Sequence, residues 1–84
     1  MDATTRCRKV FGDRLRELRR KRGKTQAAIS ELAGLHRHYI SDIERGAHNP
    51  CLETIAKLAW ALRVSPSELF RDFTVAELDS IFGD

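Results

Sequence analysis

The side chains of this 84-residue chain with chemistry to offer are three histidines, two cysteines and a scatter of serines and aspartates. His36 and His38 are separated by one residue, and His48 and Cys51 follow downstream. Positions two apart on a helix do not share a face, and there is no CxxC or HxxxH spacing, so no metal site is expected. Ser41 and Asp42 near these histidines do not form a nucleophile, base and orienting group, and neither catalysis nor a cofactor is expected. Cys7 and Cys51 are too few for a disulfide framework, and free thiols in a reducing compartment are the expectation. What stands out is charge. Residues 6–24 hold ten of the fifteen Lys and Arg against only Asp13 and Glu17, whereas residues 66–84 hold Arg71 against Glu68, Asp72, Glu77, Asp79 and Asp84. A basic half and an acidic tail suit a polyanion on one side and something else on the other, although a solvated charged helix has the same composition.

Size restricts the choices further. A chain of this length is one domain with a modest core, burying roughly 60–65% of its unfolded surface. A deep enzyme pocket is hard to build at this size. The longest run without charge is the seven residues from Gly46 to Leu52, far below the ~20 needed to span a bilayer. Arg6, Arg8 and Lys9 have no apolar stretch behind them, unlike a secretory signal, so a cytoplasmic protein with no membrane partner is expected.

The elements that must position these residues read as short helices, with no strand pattern. Phe11, Leu15 and Leu18 make one apolar stripe on an otherwise basic helix that Gly23 stops. Thr25 suits the N-cap of a second helix with Ile29 and Ala33 inward and Gly34 at its end. A third helix covers about Arg37 to Arg45, with Ile40 and Ile43 inward. Asn49-Pro50 marks a loop. A fourth helix starts near Leu52, where Leu52, Ile55, Ala56, Ala59 and Leu62 form the clearest amphipathic stripe. Ser65-Pro66-Ser67-Glu68 and Thr74-Val75-Ala76-Glu77 read as capping boxes, the second opening a last helix over about 74–82. The fold class is therefore all-α, with five or six short helices in a single domain over 1–84 and a core over 11–70.

Residues 26–46 have the pattern of two helices meeting across a tight turn. Ser30 is small where they touch, Gly34 tolerates a left-handed backbone, and Leu35, Ile40 and Ile43 seal the pair. Around them, Thr25-Gln26, Ala33-Gly34-Leu35, the run from Tyr39 to Gly46, Asn49-Pro50, Leu52-Glu53-Thr54-Ile55 and Leu62-Arg63-Val64-Ser65 resemble the XRE family, whose fold is that of the lambda repressor and Cro. The resemblance covers about residues 11–70. Compact size and the segment from Leu35 to Ser41 are also similar to the controller proteins of restriction–modification systems.

The resemblance implies a helix-turn-helix that binds double-stranded DNA, with the third helix in the major groove. Arg37 would read bases, its guanidinium matching guanine O6 and N7, with His38, Ser41 and Asp42 on the same face. Thr25, Gln26, His36, Tyr39, Arg45, His48 and Asn49 would hold phosphates, Gln26 also bracing the reading helix. Arg19 and Glu44 would form a partly buried ion pair of architectural purpose. His36 departs from the pattern, because a hydroxyl or carboxylate residue usually caps the reading helix. Imidazoles at 36, 38 and 48 beside phosphates would take up protons on complex formation, so affinity should rise as pH falls.

Beyond Leu69 the chain carries more apolar surface than five helices need. Trp60 lies off the stripe of its own helix. Trp60, Phe70, Phe73, Ile81 and Phe82 are thus candidates for a homodimer contact, unless the last helix folds back over Trp60. The leading expectation is a small dimeric regulator reading a pseudo-palindromic operator. One rival is an antitoxin whose acidic, apolar tail binds a toxin protein. A second is a scaffold domain that recruits RNA polymerase or other proteins.

Overall fold

The computed structural model describes residues 1–83, and every regular element among them is a helix. The order is α1 (Ala3–Lys21), α2 (Gln26–Ala33), α3 (Arg37–Glu44), α4 (Leu52–Leu62), α5 (Pro66–Leu69) and α6 (Val75–Phe82). None is long and apolar enough to cross a membrane.

Most boundaries follow from local chemistry. The Thr25 hydroxyl accepts the Ala28 N–H at 3.0 Å, and Gly34 ends α2 in the left-handed region at φ 68°. Both Gly34 and Leu35 then donate to the Ser30 carbonyl, which closes the tight turn into α3. Asp2 caps α1 by accepting from Thr5 N–H at 2.7 Å, so this helix begins well before the apolar stripe that marks it in the sequence. The capping boxes are half present. Ser65 and Thr74 hydroxyls accept backbone N–H groups, but the Glu68 carboxylate turns instead toward Arg14.

The core lies where α1, α2, α3 and α4 converge, around Leu15, Ile29, Ile40, Ile43, Leu58 and Leu62, with Leu69 of α5 closing it. On α4 the sequence stripe is rotated from the buried face. Thr54, Leu58, Ala59, Ala61 and Leu62 face inward, Leu52 and Ala56 are exposed, and Ile55 is only half-buried. Five apolar residues satisfied helical periodicity, but the line that the fold covers runs through Thr54, Leu58 and Ala61, beside the stripe read from the sequence.

The tail also differs from expectation. Helix α6 packs against α1, not over Trp60, and Arg6 donates to the Ser80 hydroxyl at 2.7 Å. Ile81 is buried within the chain and so is not free for a second copy, whereas Phe73 is half-buried against the core. Phe70 sits against both Phe11 and Phe73, at ring-centroid distances of 5.8 and 6.0 Å.

Helices α1 and α3 touch at backbone distance through Gly12. A Cβ there would sit 2.7 Å from the Glu44 carbonyl oxygen and closer still to that of Ile43. Both oxygens belong to the last turn of α3, so making room means shifting that turn together with the buried Glu44 side chain. Gly12→Ala should therefore cost at least ~2–3 kcal/mol and lower the melting temperature by about 10 °C or more. Thermal melting followed by circular dichroism checks this, and an unchanged midpoint would show that the helices separate at little cost.

Candidate nucleic-acid interface

Helix α3 is held from its C-terminal end. Glu44, its last residue, is fully buried, and its carboxylate accepts four hydrogen bonds. Arg19 contributes two, Nε to Oε2 at 2.6 Å and Nη2 to Oε1 at 3.0 Å. Arg16 Nε adds a third at 3.3 Å and Gln26 Nε2 a fourth at 3.1 Å. Arg19 also donates to the Lys24 carbonyl at 2.9 Å, tying the α1–α2 turn into the same cluster. Burial by itself pushes the Glu44 carboxyl up, but the bonds from Arg19 and Gln26, with the charge of Arg19, outweigh it and hold the group below its ordinary range. The same contact raises Arg19.

Pinning the C-terminus turns the N-terminal part of α3 outward. Arg37, the first residue of α3, is exposed and has no hydrogen-bond or ion-pair partner among the described residues. With Gln26, His38 and Ser41 it lines one shallow cleft between the start of α2 and the outer face of α3. His36 does cap this helix. Its Nδ1 accepts the His38 N–H at 3.1 Å, and the two imidazoles stack at 5.3 Å. An imidazole that accepts through Nδ1 carries its proton on Nε2 and can donate to a phosphate while neutral.

The remaining candidates divide. Ser41 accepts from Arg45 Nη1 at 3.0 Å, and Asp42 pairs with Arg45 through its other terminal nitrogen. The second Asp42 oxygen lies 3.5 Å from His48 Nε2, and the His48 ring meets Tyr39 edge-on at 5.4 Å. Asp42, Arg45 and His48 thus form one surface cluster, in which the Arg45 guanidinium is already engaged. Asn49 is exposed but borders a different depression, between α1 and α6. Thr25 uses its oxygen as the α2 cap and keeps its hydroxyl proton to donate.

Two architectural residues escaped the sequence reading. Arg14 is almost fully buried, donating to the Glu68 backbone carbonyl at 2.7 Å and to Glu17 at 2.7 Å, which fastens α5 to α1. Its position three residues after Phe11 and four before Leu18 on the same stripe was the available signal. Arg16 is the second, one turn before Arg19 on the Glu44 side.

An exposed cationic helix start beside a second helix N-terminus, both fixed by a buried ion cluster, is the arrangement of a DNA-binding transcription regulator. The chain matches the helix-turn-helix domain family over residues 10–71 and belongs to it. It is 43% identical over 72 residues to control protein C.BamHI of Bacillus amyloliquefaciens, spanning 84% of this chain and 88% of that one. Against the immunity repressor protein of Bacillus phage phi105 identity is 38% over 66 residues, covering 79% of this chain and 46% of the repressor. The crystal structure of the restriction-modification controller protein C.AhdI from Aeromonas hydrophila superposes with a TM-score of 0.74 at 48% identity, over 75% of this chain and 96% of that one.

Because Glu44 titrates below its ordinary range when folded, its contribution is complete above the unfolded-chain value and drains away as pH falls toward the folded one. Glu44→Ala, which strands two arginines, should cost about 3–5 kcal/mol. Glu44→Gln should lose less and show a shallower fall of stability with acid below about pH 4.5. Urea melts at pH 7 and pH 3 read both effects. Parallel acid profiles for wild type and Glu44→Gln would show that another carboxylate carries the acid response.

Proposed function

We propose that this chain binds a pseudo-palindromic operator as a homodimer, laying α3 in the major groove with Arg37 reading a guanine. The observation that carries this is the free Arg37 guanidinium at the head of a helix whose other end is locked. Such a group has no internal partner to give up, so its two-pronged bond to guanine O6 and N7 breaks no existing contact. His38 and Ser41 flank it in the same cleft, and Asp42 stands behind them next to Arg45. Thr25, Gln26 and His36 offer donors to one phosphate run, Tyr39, Arg45 and His48 border the next, and Asn49 follows on the loop beyond them. Similarity to a control protein and a phage repressor supports a regulator of promoters in the cytoplasm.

The second copy has a place to dock. Leu52, Ala56 and Trp60 recur every four residues along one exposed edge of α4, with Leu52 81% and Trp60 59% exposed. Leu52 and Ala56 belong to the sequence stripe and Trp60 lies beside it, and the chain's own fold leaves all three uncovered. Two copies related by a two-fold axis would cover this edge mutually and set their reading helices about 34 Å apart.

Arg37→Ala should weaken binding to a selected operator by about 1–3 kcal/mol and relax preference at one base position. Anisotropy titrations on the operator and on single-base variants test this. An equal loss on every duplex would assign Arg37 to a phosphate instead. For the dimer, sedimentation at tens of micromolar should give two copies for the wild type and one for Trp60→Glu with an unchanged far-ultraviolet spectrum. A monomeric wild type, alone and on the operator, would overturn the pairing.

A further inference from the structure

Between the N-terminal half of α1 and the α5–α6 end of the molecule lies a cavity of about 260 Å³. Four phenylalanines line it, Phe11, Phe70, Phe73 and Phe82, together with Arg8. The Nε of Arg8 is buried and has no hydrogen-bond partner among the described residues, and Arg8 joins none of their ion pairs. An unsatisfied guanidinium nitrogen beside an aromatic hollow is costly when alone and complementary to one kind of occupant. Water would solvate the guanidinium edge that Arg8 turns to the hollow but would hydrate the phenylalanine rings poorly. A phosphate or sulfate would leave the rings bare, and a neutral hydrocarbon would leave the guanidinium unmet.

We propose that this cavity is an effector site for a small monocarboxylate with an apolar body, the carboxylate on Arg8 and the body among the phenylalanines. Its volume equals that of about nine waters, which suits a ligand of about ten heavy atoms such as an eight-carbon fatty acid. A regulatory consequence follows from the walls, and it rests on the DNA-binding reading above. Asn49 and Pro50 line the same cavity and belong to the loop that leaves α3, adjoining His48 on the proposed phosphate face. An occupant therefore biases the loop that follows the reading helix.

Sodium octanoate, below its micelle concentration, is the probe, and octan-1-ol is its neutral counterpart. Amide spectra of the full chain should show saturable shifts at Cys7, Arg8, Phe73 and Phe82, with octanol binding at least tenfold more weakly. Arg8→Met should erase the preference for the acid while leaving octanol binding alone. Phe82→Trp, which fills the hollow from its exposed side, should abolish binding of both. At constant ionic strength, saturating octanoate should change operator affinity fivefold or more in the wild type and not in Arg8→Met. Absence of saturable shifts, or shifts equal for acid and alcohol and unaltered by Arg8→Met, would overturn the site. Acid-selective binding with unchanged operator affinity would overturn its regulatory role. Because the amide spectra need no DNA, they judge the cavity whether or not the operator reading holds.

Discussion

One buried carboxylate determines how the helices stand. Glu44 is the last residue of α3, its partners Arg16 and Arg19 lie one turn apart on α1, and Gln26 begins α2. Three helices therefore meet at two oxygen atoms. The attraction needs four good bonds to offset the dehydration of the charge, and that requirement has directional consequences. A purely apolar contact between α1 and α3 would tolerate sliding, whereas four donors converging on one carboxylate tolerate very little. The backbone approach at Gly12 works with it, since the ridge of α3 settles against α1 only where no side chain intervenes. The outward position of Arg37, seven residues earlier on α3, is a consequence of this clamp.

The same clamp changes the meaning of the basic N-terminal half. Its cations read, as a sequence, like a face for a polyanion. In the fold, Arg14 and Arg19 are buried, Arg16 serves Glu44, Arg6 holds Ser80 and Lys9 pairs with Asp13. Much of the charge is internal wiring. Arg20, Lys21, Arg22 and Lys24 remain exposed around the α1–α2 turn. Net charge over a segment thus overstates the field that a ligand meets, because a helix rich in arginine has several faces and only some look outward.

Legibility in the sequence followed how local the physics was. Thr25, Gly34 and the pair Ile40 and Ile43 were readable because caps, left-handed turns and helical spacing depend on a few neighbouring residues. The partnership of Arg19 with Glu44, 25 residues apart, was legible only through resemblance. The face of α4 was misread because five apolar residues satisfied periodicity while the buried flank contained Thr54. Periodicity says that a helix has an apolar side, and packing decides which flank of that side is covered. His36 was read as a poor cap because hydroxyls and carboxylates dominate that position, yet an imidazole nitrogen two residues back can accept the same N–H. Among the proposed DNA contacts, the sequence offered residue types, and the structure sorts free groups such as Arg37 from those engaged with neighbours, such as Asp42.

Outside the segment matched by the family lie the first turns of α1 and all of α6. Neither has much reason to be helical alone. A seven-residue extension of α1 and an eight-residue α6 are both below the length at which helices persist in water. They are joined by the Arg6–Ser80 bond and by Ile81, which buries itself although it lies outside the main core cluster. Each supplies the tertiary surface that the other lacks, so the two should form or fray together as one unit added to the common core. An addition stabilised in this way packs first along the line where its apolar residues reach α1, and the space under its far end need not be filled. The hollow beside Phe82 lies at that seam, where a shared scaffold meets an extension with its own packing requirements.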